Sequence, residues 1–168
     1  MNQIGIFYGS TTGNTRDVSQ KLYEALGESQ AEIHDIRETT GSEMAAYEKL
    51  IFSVSTWGVG DLQDDWEEFL PTLDTIDFTG KTVAIMGLGD QQNYPDNFVD
   101  CMQILAKKVA ECGGRIVGET STEGYVFSAS KAVRNRQFLG LVIDEDNQAN
   151  MTTARIQGWI EILKKAFQ

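Results

Sequence analysis

The sequence predicts an α/β fold, a three-layer α/β/α sandwich with helices on both faces of a parallel sheet, and three observations carry that expectation. Lys49 to Ser55 (KLIFSVS) and Lys81 to Leu88 (KTVAIMGL) are short, nearly continuous apolar runs, the signature of strands covered on both faces. Stretches with apolar residues at helical spacing alternate with them. Each buried run empties into a glycine-containing loop before the next helical stretch, and the alternation implies one sheet wound with right-handed crossovers.

Taken in order, Ile4 to Tyr8 reads as the first strand. Val18, Leu22 and Ala25 then mark an amphipathic helix running to about Gly27. Ala31 to Ile36 is the second strand, with the lone His34 near its end as a surface residue. After the KLIFSVS strand, Trp66, Phe69, Leu70 and Leu73 share one helical face, which makes Trp66 core and leaves Trp57 in the preceding loop. After the KTVAIMGL strand, Pro95 is expected to start a helix whose inner stripe is Phe98, Met102, Leu105, Val109 and Cys112, stopped by Gly113-Gly114. A last strand begins at Arg115 to Gly118 and resumes at Gly140 to Ile143. The polar stretch from Glu119 to Phe138, with Lys131, Arg134 and Arg136, is read as an excursion within that one strand. Ile156, Trp159, Ile160, Leu163 and Phe167 define a closing helix.

The 168 residues fit a single domain, 1–168, able to bury a full core. No apolar run approaches the ~20 residues of a membrane span, and the N-terminal stretch lacks a signal-peptide pattern, so a cytoplasmic protein without membrane insertion is expected. The formal charge of −11 argues against nucleic acid and favours basic protein partners, or simply serves solubility. Cys101 and Cys112 fall in one predicted helix, roughly 16 Å apart at ~1.5 Å per residue, too far for a disulfide. Two buried, inert thiols are expected. No histidine or cysteine clusters in a metal-ligating pattern.

The chemistry lies in three loops that leave strand ends at the edge where open α/β sheets hold ligands. Gly9 to Thr15 (GSTTGNT) reads as a phosphate-binding loop. Its glycines let the backbone fold back, and Ser10, Thr11, Thr12, Asn14 and Thr15 add neutral donors at the positive end of the next helix. It lacks the Lys of a nucleoside-triphosphate loop and the GxGxxG of a dinucleotide fingerprint, which leaves a cradle for one terminal phosphate, or an ordinary polar loop capping a helix. The second loop, Thr56-Trp57-Gly58-Val59-Gly60-Asp61, exposes a Trp beside glycines, and the third, Gly87-Leu88-Gly89-Asp90-Gln91-Gln92-Asn93-Tyr94, holds another aromatic. A neutral phosphate cradle, two loop aromatics able to cover both faces of a flat ring, and an acid near its edge outline a flavin mononucleotide (FMN) site.

GSTTGNT, STWGVGDLQDDW and GLGDQQNYPDNF occur in the order and spacing of the phosphate loop and the two flavin loops of flavodoxins, and over its whole length the chain resembles that family. The excursion resembles the insertion of the long-chain type. The resemblance implies a doubly wound five-stranded sheet in the order 2-1-3-4-5 and a non-covalently bound FMN. It makes Ser10 to Thr15, Gly13 included, the phosphate ligands, Trp57 and Tyr94 the stacking residues, Asp90 a pyrimidine-edge contact and Gly58 the residue whose carbonyl meets flavin N5. Thr56, Val59, Gly60, Leu88, Gly89, Asn93, Asn97 and Phe98 complete the implied site, with no catalytic residue and no metal. It also implies a monomeric, low-potential one-electron carrier shuttling between semiquinone and hydroquinone. Its partners would be redox proteins such as ferredoxin-NADP reductase, photosystem I, nitrogenase or pyruvate-oxidising enzymes.

The alternative is an FMN-dependent NAD(P)H:quinone reductase, which needs one ring face open for a nicotinamide; two stacking aromatics count against it. A phosphorylatable receiver domain would need acids where Gly9-Ser10-Thr11 and Ser55-Thr56-Trp57 stand.

Overall fold

The computed structural model describes residues 3–168. The chain runs β1 (Ile4–Tyr8), α1 (Asn14–Leu26), β2 (Ala31–Asp35), α2 (Gly41–Ala45), β3 (Lys49–Trp57), β4 (Asp61–Leu62), α3 (Asp64–Leu73), β5 (Thr82–Leu88) and α4 (Cys101–Glu111). It continues through β6 (Arg115–Val117), β7 (Thr120–Ser121), β8 (Val133–Arg134), β9 (Gln137–Phe138), β10 (Leu141–Ile143) and α5 (Thr152–Ala166).

The main sheet is parallel in the order β10, β5, β3, β1, β2. Both β6 and β10 pair with β5: Arg115–Val117 lie against Thr82–Ala84, and Leu141–Ile143 against Met86–Leu88. They are two pieces of one strand position, so the excursion leaves and re-enters a single strand, and the rows follow the order 2-1-3-4-5.

Successive side chains on a strand point to opposite faces. Ile6, Ile51 and Ala84 therefore pack against α1 and α5 through Val18, Leu22, Trp159 and Leu163. Their neighbours Phe7, Phe52 and Ile85 pack on the other side with Trp66, Phe78, Leu105 and Val109. This two-sided burial is why the inner strands read as unbroken apolar runs. Among the described residues, no helix is long and apolar enough to cross a membrane.

Several expectations are revised. The fourth helix begins at Cys101, not Pro95: Val99 sits at φ 48°, outside the right-handed helical region, so residues 95 to 100 form turns. Phe98 is nonetheless buried. Cys112 lies just past the helix end and is only half-buried, whereas Cys101 is wholly buried and its thiol is pushed up to about 12 by that burial. His34 is not simply a surface residue; its ring stacks on Phe7 at 4.9 Å and its Nε2 lies 2.8 Å from the Tyr47 hydroxyl. The crossover after β2 contains a short helix that the apolar pattern does not mark, started by a Thr40/Glu43 capping box. The excursion is a folded unit of its own. β7, β9 and β8 form a small antiparallel sheet, and Tyr125, Phe127 and Phe138 cluster on Phe98. Its Lys131, Arg134 and Arg136 side chains are exposed.

Candidate functional site

The first loop leaves β1. A side chain at Gly9 would place its Cβ 2.2 Å from Gln63 Oε1 and 2.7 Å from the Trp66 ring, so only glycine lets the loop turn this close to α3. The Ser10 hydroxyl accepts from the Gly13 N–H at 3.1 Å, drawing the loop into a ring. Gly13, at φ 98°, is the cap residue of α1 and brings no capping side chain. The first-turn N–H groups of a thirteen-residue helix are thus left open at its positive end, the arrangement that receives an anion.

The second loop is more ordered than its glycines suggest. β3 continues to Trp57, and Trp57 pairs with Asp61 across an antiparallel hairpin. Gly58 and Gly60 take φ 52° and 84°, values that side-chain-bearing residues adopt only at a cost. The Trp57 indole N–H donates to Ser55 Oγ at 2.9 Å, which fixes the ring while leaving it 40% exposed. Gln63, at the start of α3 and almost fully buried, links the first two loops: its Nε2 donates to Thr11 Oγ1 at 3.1 Å and its Oε1 accepts from the Trp66 N–H.

The third loop is built around Asp90. Its carboxylate accepts from the Gln92 and Asn93 N–H groups at 3.1 and 3.0 Å, from Asn93 Nδ2 at 2.6 Å and from Asn147 Nδ2 at 2.8 Å. Burial pushes the Asp90 carboxyl up, but these hydrogen bonds outweigh it and hold it below its ordinary value. The Tyr94 N–H closes the turn on the Asp90 carbonyl at 2.9 Å, leaving the tyrosine ring 47% exposed. The carboxylate is thus held by donors of its own turn and by the distant Asn147, while Asp90 also lines the cleft where the loops meet.

The three loops meet around a cleft of about 340 Å³, within the usual size of a small-molecule site. Of the expected residues, Thr11, Thr12, Asn14, Thr15, Thr56, Trp57, Gly58, Leu88, Gly89, Asp90, Tyr94, Asn97 and Phe98 line it. Ser10 and Gly13 line an adjoining polar recess with Arg16 and Arg37. Val59 is exposed on the hairpin, Gly60 is packed against Asp100 and Asn97, and the Asn93 amide is turned onto Asp90. Ser55, Val99, Glu145 and Asp146 also line the cleft and were not anticipated. Glu145 and Asp146 follow β10, which empties at the same sheet edge, so the rule that marked the other loops marks this one too. Burial and the neighbouring carboxylates of Asp90, Asp144 and Glu145 push the Asp146 carboxyl up. Among the described residues, no Lys or Arg lines the cleft itself.

The Flavodoxin family model matches residues 6–159. The chain belongs to the flavodoxin family. The flavodoxin of Picosynechococcus sp. is 46% identical over 168 residues, covering 99% of both chains. That of Helicobacter pylori is 42% identical over 167 residues, again covering 99% of each. Among solved structures, Fusobacterium nucleatum flavodoxin bound to flavin mononucleotide is 35% identical, with a TM-score of 0.95 over 100% of both chains. Flavodoxins are electron-transfer proteins that work with other redox proteins, not enzymes with a substrate turnover of their own.

Proposed function

We propose that this flavodoxin binds FMN non-covalently in the cleft and carries single electrons at low potential between redox proteins. The observation that carries this reading is the convergence on one cleft of an uncapped helix N-terminus and two exposed aromatic rings, Trp57 and Tyr94. The open first turn of α1, with the hydroxyls and amide of Ser10, Thr11, Thr12, Asn14 and Thr15, suits a phosphate dianion without any metal. The indole of Trp57 and the phenol of Tyr94 suit the two faces of an isoalloxazine ring, and the backbone of residues 88–94 suits its pyrimidine edge.

When bound, the flavin supplies the redox chemistry; the chain's part is to hold it and set its energy. Covering both ring faces excludes a nicotinamide and leaves the ring edge for electron exchange. With Asp90, Glu145 and Asp146 around the cleft and no cation among the described residues lining it, added negative charge is costly there, which keeps the potential low. Residues 1–168 act as one FMN-binding unit, monomeric and cytoplasmic. The chemistry suits ferredoxin-NADP reductase, photosystem I, nitrogenase or a pyruvate-oxidising enzyme as donor or acceptor.

A single stopped-flow series tests carrier function against the quinone-reductase alternative. With NADPH and a quinone alone, the flavin-loaded protein should show no turnover. Adding a basic ferredoxin-NADP reductase should reduce it at a rate that falls steeply with salt, because the −11 charge steers encounter over a Debye length of about 10 Å at 0.1 M. Quinone turnover without the reductase would favour the alternative, and a salt-independent rate would remove electrostatic steering.

A further inference from the structure

Asp144 closes β10 with its side chain wholly buried, and among the described residues it forms no ion pair. A carboxylate so placed is costly unless hydrogen bonds replace its lost water. Here they do. Asp144 Oδ2 accepts from the Gln91 N–H at 3.1 Å and from Gln91 Nε2 at 2.7 Å. Its Oδ1 accepts from the Asn147 N–H at 3.0 Å, and Asn147 Nδ2 reaches both oxygens at 2.9 and 3.1 Å.

Neither amide is free to turn over. Gln91 Oε1 accepts from the Val126 N–H at 2.7 Å, and Asn147 Nδ2 also donates to Asp90 Oδ1 at 2.8 Å. A continuous network therefore runs from the excursion through Gln91, Asp144 and Asn147 to Asp90, which gathers the turn carrying Tyr94. Every group facing Asp144 in this network is a donor, so the site requires an acceptor with no hydrogen of its own.

We propose that Asp144 is a positioning residue, holding the Asp90–Tyr94 turn through Gln91 and Asn147 in the shape that presents Tyr94 to the flavin ring. The proposal rests on the FMN reading above. Asp144→Asn is the discriminating variant: it keeps the shape but sets an NH₂ group against donors that cannot rotate away.

The experiment measures affinities of apoprotein for FMN and riboflavin by flavin fluorescence, with urea unfolding alongside. Asp144→Asn should weaken both flavins by the same factor, about tenfold, because the ring side loosens while the phosphate loop is untouched. Asn147→Ala, a milder change at a half-buried position, should weaken both by a smaller common factor and decides the matter if Asp144→Asn does not fold. Thr12→Ala, in the phosphate loop, should weaken FMN alone. A residue that merely supported the fold would lower the unfolding midpoint and leave the affinity of the folded apoprotein unchanged. Affinities within twofold of the unmutated chain in the folded variants would overturn the proposal. An unmutated chain that binds no FMN would overturn the flavin reading, and this proposal with it.

Discussion

Apoprotein titrated in parallel with FMN and riboflavin should bind the phosphorylated flavin at least a hundredfold more tightly. The expectation follows from the α1 N-terminus. Gly13 supplies no capping side chain, so the first-turn N–H groups have no side-chain partner, and the hydroxyls of residues 10–15 surround them. A hydrogen bond to a charged group nets about 1.5 to 3 kcal/mol, and a favourable helix end adds about 0.3 to 1. Two such bonds alone supply about 3 kcal/mol, already more than a hundredfold in affinity. Riboflavin offers no charge to this end of the cleft. Equal affinities would show that the loop is not the anchor and that its polarity serves only to start a helix.

Gly58→Val should move both one-electron potentials, the first downward and the second upward, by some tens of millivolts each. Gly58 stands at φ 52°, where a β-branched residue is penalised by about 1 to 2 kcal/mol, and a Cβ there would lie 3.1 Å from Asp61 Oδ2. The resemblance to flavodoxins implies that the Gly58 peptide turns its carbonyl toward the ring when the first electron arrives. Glycine makes that turn cheap. A valine that resists it makes the first step harder and the second easier, and about 1.4 kcal/mol corresponds to about 59 mV for one electron. Potentiometric titration of the variant and the unmutated chain, with FMN affinity measured alongside, reads this directly. Unchanged potentials in a variant that still binds FMN would mean that the peptide does not turn at this position.

The parts of the fold legible in the sequence were those where burial is two-sided or strictly periodic. KLIFSVS and KTVAIMGL announced β3 and β5 because helices cover both their faces, and the Ile156 to Phe167 stripe announced α5 because one face alone is buried. The candidate cleft is legible in the loops that leave β1, β3 and β5. What stayed hidden depends on contacts between distant segments. Gln63 reads as a neutral polar residue, yet it bridges to Thr11, 52 positions away in the chain. Asp144 reads as one acid in the run DED, yet it is buried beneath Gln91. The start of α4 is hidden because no residue type announces a left-handed valine, and Val99 holds that backbone in the turn before the helix. Asp90 reads as an acid beside a ligand, and the sequence does not show that the same carboxylate also ties its own turn together. The asparagines at 93 and 147 that engage its carboxylate are separated by most of the second half of the chain.

The central claim is that this cleft holds FMN and passes electrons one at a time, and stepwise anaerobic reduction followed by absorbance tests it most directly. The reconstituted protein should start yellow, turn blue on the first electron as a long-wavelength band rises, and bleach on the second, giving two separated one-electron steps. A protein that remains colourless after incubation with FMN, or one that bleaches from yellow in a single two-electron step, would contradict it.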